Sequence, residues 1–157
     1  MRRAAPVLAV LMLVAGTAAA RAQTCTAAAS AVAFGVYDPG TGAPTDTTGT
    51  VTVTCSALIS LLVSYTITLT TGGGGSFAAR SMAGPLAPRL AYQIYADAAR
   101  TRIWGDGTGG TSTVTDGYLL QLLGPVVRQY TMYARIPAGQ LVSAGTFGDT
   151  VTVVVTY

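Results

Sequence analysis

The run Leu62–Thr70 alternates without a fault. Val63, Tyr65, Ile67 and Leu69 fall on one side, and Ser64, Thr66, Thr68 and Thr70 on the other. Period two sends successive side chains to opposite faces of an extended chain, so such a run folds as a strand with one face buried and one wet. The pattern recurs. Val51, Val53 and Cys55 alternate with Thr50, Thr52 and Thr54, and Leu90, Tyr92 and Ile94 make another inward row. Tyr130, Met132, Ala134 and Ile136 make a further one. The chain closes on Val151, Val153, Val155 and Tyr157, with Val154 breaking the polar side. Ala31–Tyr37 also alternates, which predicts a strand with Val32, Phe34 and Val36 on one face, stopped by Asp38-Pro39-Gly40 and a polar loop to about Thr48. Tyr118–Val127 reads as a strand, a turn at Gly124-Pro125 and the start of the next strand, while Ala96–Arg102 has room for one helical turn. Short strands with Gly and Pro turns between them, and no amphipathic helix of useful length, predict an all-β antiparallel sandwich.

The first residues follow another logic. Arg2 and Arg3 precede the apolar run Val7–Ala15, which is too short to span a bilayer, and Ala20-Arg21-Ala22 offers a small-residue cleavage site. This predicts a secretory signal peptide over residues 1–22 and one domain over 23–157, with no membrane span after cleavage. Arg2, Arg3 and Arg21 account for the whole formal net charge of +3. The mature chain is then balanced, which removes the electrostatic basis for nucleic-acid binding. Export also favours oxidised thiols, so the isolated pair Cys25 and Cys55 points to one disulfide rather than two buried free thiols. A loop of that length puts the bridge at roughly 3–4 kcal/mol.

The residue inventory argues against catalysis. The sequence has no His, Lys, Glu or Asn; every acid is Asp and every base Arg. Without His there is no Ser-His-Asp or Cys-His relay, and without Lys no Schiff base and no phosphate loop of the Gly-Lys-Ser type. Gly72–Ser76 is therefore expected to be a flexible turn, and no cofactor motif is present. Asp106 and Asp116 lie in Asp-Gly pairs, where a calcium-binding role competes with the commoner one of making a turn. Asp97 fits a turn cap. Trp104 and the tyrosines fit core packing better than a sugar platform.

Several longer stretches carry more. The opening "CTAAASAVAFGVYDPGTGAPTDTTGTVTVTCS" (residues 25–56) resembles the start of the spore coat protein U-like domain, and "YADAARTRIWGDGTGGTS" (95–112) its central signature. "YARIPAGQ" (133–140) and "AGTFGDTVTVVVTY" (144–157) resemble its close. That family includes secreted bacterial surface proteins and the subunits of archaic chaperone–usher pili, which serve attachment and biofilm formation. The resemblance implies an incomplete immunoglobulin-like, pilin-like sandwich short of its last strand, with the family's disulfide falling on Cys25 and Cys55. It also implies partners: a periplasmic chaperone, an outer-membrane usher and other pilus subunits, each filling or handling the gap by strand addition. Val151, Val153, Val155 and Tyr157 are the expected partner-strand edge. Cleavage after Ala22 would leave only Gln23 and Thr24 before Cys25, which predicts a subunit that accepts a strand but has little to donate. The expected role is a secreted structural subunit of a surface fibre. The alternative is a stand-alone coat protein or tip adhesin, binding through loops Thr41–Thr48 and Gly105–Gly117, with Tyr118–Val127 as the internal candidate to complete the fold.

Overall fold

The computed structural model describes residues 23–57, 62–119 and 124–157. The expected signal peptide lies outside them. Among the described residues nine strands follow in order: β1 (Gln23–Ala29), β2 (Thr45–Ala57), β3 (Leu62–Leu69), β4 (Ser81–Met82), β5 (Leu90–Ala91), β6 (Gln93–Tyr95), β7 (Val114–Leu119), β8 (Val126–Ile136) and β9 (Val153–Thr156). They form one sheet in the order β1-β2-β8-β6, a second in the order β7-β3-β9, and a small β4-β5 hairpin. Every strand ladder is antiparallel. The all-β sandwich expected from the alternation is the architecture found.

The spine is the β2–β8 ladder, in register from Thr45 opposite Ile136 to Cys55 opposite Val126. Period two sends Val51, Val53 and Cys55 of β2, and Met132, Ala134 and Ile136 of β8, inward. Val63, Tyr65, Ile67 and Leu69 of β3 meet them from the second sheet, all buried, while the alternate residues of β3 stay at least partly exposed. Each fully buried aliphatic side chain contributes about 1.5–3 kcal/mol. The Cys25–Cys55 disulfide joins β1 to β2 at a directly opposed pair. Cys25 is buried, while Thr24 and Thr26–Ala29 are exposed. Ladder and disulfide hold this strand, with little help from core packing.

Several expectations need correction. Ala31–Tyr37 joins no strand ladder among the described residues. Gly35 adopts φ +72°, a conformation open to glycine, and so breaks the alternation. Val36 is thrown outward to 92% exposure while Val32, Phe34 and Tyr37 face the protein. The Tyr37 hydroxyl donates to the Pro137 carbonyl at 3.2 Å and accepts from Gln140 N at 2.8 Å. β1 itself, in the weak run "QTCTAAA", was not expected, and β2 starts at Thr45 within the predicted loop. Ala96–Arg102 is a non-helical turn closed by Ala96 N to Arg102 O at 2.9 Å, with Arg100 at φ +56°. Asp97 does cap it, accepting from the amides of Thr101 and Arg102. The described ends of Tyr118–Val127 add no strand beside β9. Tyr118 and Leu119 end β7 on the far side of β3 from β9, and Val126 begins β8; residues 120–123 lie outside the described residues.

A buried arginine links the two sheets. Arg80 is fully buried. Its guanidinium donates from Nη1 to Gln93 Oε1 and from Nη2 to the carbonyls of Thr70 and Trp104, each at 2.8 Å, and lies 5.3 Å from the Phe77 ring centroid. Thr70 follows β3 and Gln93 starts β6, so one side chain joins the two sheets. Trp104, equally buried, donates its indole N–H to the Ile67 carbonyl at 3.1 Å, which settles it as a core residue. Removing the fork leaves the Trp104 and Thr70 carbonyls without these donors and Gln93 Oε1 with the Ile94 amide alone. Arg80→Met should therefore lower stability by on the order of 3–5 kcal/mol. Urea unfolding followed by tryptophan fluorescence measures it, and an unchanged midpoint would show that the fork contributes nothing.

Candidate functional site

A two-sheet sandwich has two long seams where sheet edges meet, and here they differ. Along one, the edges of β6 and β8 face those of β3 and β7. Its upper part is bridged by Ile103–Gly105: Trp104 N donates to Ile94 O at 2.9 Å, and Leu69 N to Gly105 O at 3.2 Å. Its lower part is bridged by side chains. The hydroxyls of Tyr65 and Tyr130 are hydrogen-bonded, and Tyr130 donates to the Asp116 carboxylate. Burial raises the pKa of both tyrosines, and for Tyr130 the neighbouring Asp116 carboxylate raises it further. Both therefore stay protonated and able to donate. The same Tyr130 hydrogen bond holds the Asp116 carboxyl below the usual carboxylate range. This seam is shut.

The other seam is open. β9 pairs with β3 along one edge, and that pairing runs on through Thr70 N to Thr152 O at 3.0 Å. Gly148 continues on the same side, exchanging both backbone hydrogen bonds with Ala83. Antiparallel geometry turns the amides and carbonyls of the alternate residues, Val151 and Val153 among them, the opposite way. No strand pairs with that edge among the described residues. β1, the edge of the other sheet, approaches within 8 Å between Cα atoms without forming a ladder.

Between these edges lie two adjoining clefts of about 500 and 620 Å³. Their walls are residues 29–39 on one side and 142–153 on the other, and they share Val32, Phe34, Met82 and Phe147. Leu69, Ile94 and Met132 floor the first; Leu90 and Ile136 floor the second. Gly49 makes room for the Val32 wall, since a Cβ there would stand 2.8 Å from both Val32 Cγ2 and Met132 Cε. The result is one long apolar groove. Of the expected edge residues, Val151 and Val153 line it and Val155 continues the half-buried row. Tyr157 is 54% exposed at the chain end.

The remaining candidates go elsewhere. Asp106 accepts from the amide and hydroxyl of Thr108 and makes its own turn. Asp116 points between the sheets, as described. Among the described residues, no three His, Cys, Asp or Glu side chains gather as a metal site. Gly72–Ser76, expected to be flexible, is pinned: Gly73 N donates to Asp149 Oδ1 at 2.7 Å, and Arg89 Nη1 to Gly73 O at 2.9 Å. Of the two expected binding loops, Thr45–Thr48 belongs to β2 and Val114–Gly117 to β7. Sequence reasoning overlooked Asp149. It shares the parity of Val151, Val153 and Val155, and that parity was the available signal.

Comparison with known proteins now fits these observations. The sequence model of the Spore Coat Protein U domain matches residues 9–154. The chain belongs to that family. Its fold is also that of a chain in the crystal structure of the CsuC–CsuE chaperone–tip adhesion subunit pre-assembly complex, from the archaic chaperone–usher Csu pili of Acinetobacter baumannii. The TM-score is 0.55 and the identity 22%, over 87% of this Spore Coat Protein U domain chain and 40% of the solved one. The family member described here thus spans well under half of that relative's length. No curated protein matches the chain.

The closed seam yields a pH prediction. A carboxyl held below its ordinary pKa of about 3.9 lends stability that is complete above that value and is lost as pH falls through the depressed one. Asp116→Asn should flatten the fall in unfolding free energy as pH drops below about 4. Denaturant titrations of both proteins between neutral and strongly acid pH check it; parallel curves would mean that Asp116 plays no part.

Proposed function

We propose that the protein is an exported structural subunit of a chaperone–usher type surface fibre, and that it takes a strand from a partner chain into the groove beside β9. The single observation that carries this reading is the unpaired β9 edge beside an apolar groove, opposite a seam that the chain closes by itself. Strand addition answers both needs at once. The guest backbone bonds to the free edge, and its alternate side chains enter the groove. The wall 142–153 would suit a guest of about ten residues. Left empty, such an edge and groove invite aggregation, so a subunit of this design needs a companion from the moment of export.

The order of partners follows from that need. A periplasmic chaperone takes the edge first, an outer-membrane usher receives the complex, and a neighbouring subunit's strand replaces the chaperone in the fibre. Family membership and the kinship in fold to a chaperone–subunit complex support this sequence. The signal peptide over residues 1–22 directs the chain to the periplasm and leaves 23–157 as the mature domain. At the cell surface the role is structural rather than catalytic, and attachment and biofilm formation are its biological outlet.

A strand that binds the folded state must stabilise it. Adding an alternating Val/Thr peptide of about ten residues to the purified mature chain should raise its unfolding free energy by about 2.7 kcal/mol at a hundred times the dissociation constant. Val153→Asp should abolish the response, while Val154→Asp, on the outward face, should keep it. Thermal unfolding with and without peptide, or with a purified periplasmic chaperone, is the measurement. A domain that unfolds at the same temperature in every mixture would defeat the reading.

A further inference from the structure

The wall of the groove is uniform in all but one respect. From Phe147 to Val155 the half-buried residues are every second one: Phe147, Asp149, Val151, Val153 and Val155. Four are apolar and one is a carboxylate. Asp149 lines the first cleft, and neither cleft has an arginine in its lining. Among the described residues the ion pairs are those of Asp46 with Arg100 and Arg135, so Asp149 has no cation in direct contact.

Its oxygens are unequally occupied. Oδ1 accepts from Gly73 N at 2.7 Å and from Thr150 N at 2.8 Å. Oδ2 accepts one hydrogen bond, from the Tyr92 hydroxyl at 2.7 Å. Burial and the Asp149 carboxylate both push the Tyr92 pKa up, so that hydroxyl remains a donor. A carboxylate oxygen has two lone pairs, so Oδ2, packed beside Gly72 in a residue that lines the cleft, has one acceptor position left beyond the Tyr92 bond. The bonds through Oδ1 fix the group to the Gly72–Gly74 turn, so it cannot swing out to water when the groove fills. An occupant that covers Asp149 without a donor would cut its charge off from water with no cation in contact, Arg80 acting on it only at a distance.

We propose that Asp149 selects the guest strand, admitting one whose inward row is aliphatic except for a single cationic residue, Lys or Arg, at the level of Asp149. This rests on the strand-accepting reading above and adds a rule for register and partner choice. A guest whose aliphatic row is unbroken loses the last hydrogen bond. A guest with an acidic residue there meets like charge in an enclosed site. One that slides by a step of two carries its cation past Asp149 and sets it among valines. The carboxylate thus reads sequence where the valines read only hydrophobicity.

The test uses the mature chain and a family of ten-residue Val/Thr alternating peptides. Each carries one Lys, stepped through the inward positions in turn; a second set carries Glu at the same places. Binding is measured by fluorescence anisotropy. One Lys position should bind roughly tenfold tighter than the all-valine parent, as a charge-assisted hydrogen bond warrants. Glu at that position should bind more weakly than the parent, and added salt should narrow the gap. Asp149→Asn, which keeps an acceptor for Gly73 N, should bind the parent and erase the Lys preference. If the parent binds but the Lys scan is flat, Asp149 is only a brace for the glycine turn and the selection rule fails while strand acceptance stands. If no peptide binds, parent included, both fall. Should Asp149→Asn not fold, the Lys and Glu scans and their salt dependence on the unaltered chain still decide.

Discussion

A strand that packs one face on an apolar core leaves polar backbone groups along both edges, and each edge must find partners or water. This constraint organises the molecule. β2, β3 and β8 are satisfied by neighbours on both sides for much of their length, and their inward rows make the core. The edge strands are handled in two ways. On the β6/β7 side the chain supplies its own closure, with backbone from Ile103–Gly105 above and a tyrosine–carboxylate chain below. On the β1/β9 side it supplies no ladder among the described residues. A fold that spends a buried arginine, a buried tryptophan and a hydrogen-bonded tyrosine pair on one seam has the means to close a seam.

Arg80 shows how the closed side tolerates irregular backbone. β3 stops at Leu69, and the chain beyond it runs through a glycine turn before returning as β4. Carbonyls at the end of a strand, buried beneath that turn, have no ladder to join. A guanidinium offers several donors in one plane, and three are used on Gln93, Thr70 and Trp104. Burial works against its charge and lowers its pKa, while Asp149 and Tyr92 favour the charged form. The interior cation and the groove-lining carboxylate thus act on each other directly through their charges.

How much was legible follows from what each signal reports. Alternation reports a strand with one wet face, so β3 and the inward rows of β2, β8 and β9 were readable from Leu62–Thr70, Val51–Cys55, Tyr130–Ile136 and Val151–Val155. It cannot report whether an extended run finds a neighbour. Ala31–Tyr37 has the pattern and no ladder, because Gly35 turns the chain over at its midpoint. It fails equally where side chains are too small to carry a pattern: β1 is mostly Thr and Ala, and it is a strand because β2 beside it offers an edge and a cysteine. Side-chain networks across the core are invisible to periodicity. Tyr65, Tyr130 and Asp116 are far apart in sequence, and a Thr-Asp-Gly triplet looks like any turn. The unpaired seam itself came from the family resemblance, since a missing neighbour leaves no mark on the strand that lacks it.

The two walls of the groove are held by different means, and that difference bears on how a guest could enter. The β9 wall is fixed by its ladder to β3, by the Ala83–Gly148 pairing and by the bonds of Asp149. The opposite wall, residues 30–37, hangs between the end of β1 and the short turn Pro39–Thr41. Its ties are few: Ser30 N to Thr50 O, Thr50 N to Ser30 Oγ, the Thr47 hydroxyl to Ala33 O, and the Tyr37 hydroxyl at its far end. Beneath it Phe34 meets Tyr92 edge to face with ring centroids 6.1 Å apart, a contact worth about 0.5–1.5 kcal/mol and easily remade against a guest side chain. A rigid wall that carries the register and a compliant wall that yields to bulk are what sequential strand entry requires. On the strand-accepting reading proposed above, a guest would zip along β9 one pair at a time while the facing segment moved aside. The Cys25–Cys55 bridge would limit that movement, because it anchors the strand from which this wall hangs.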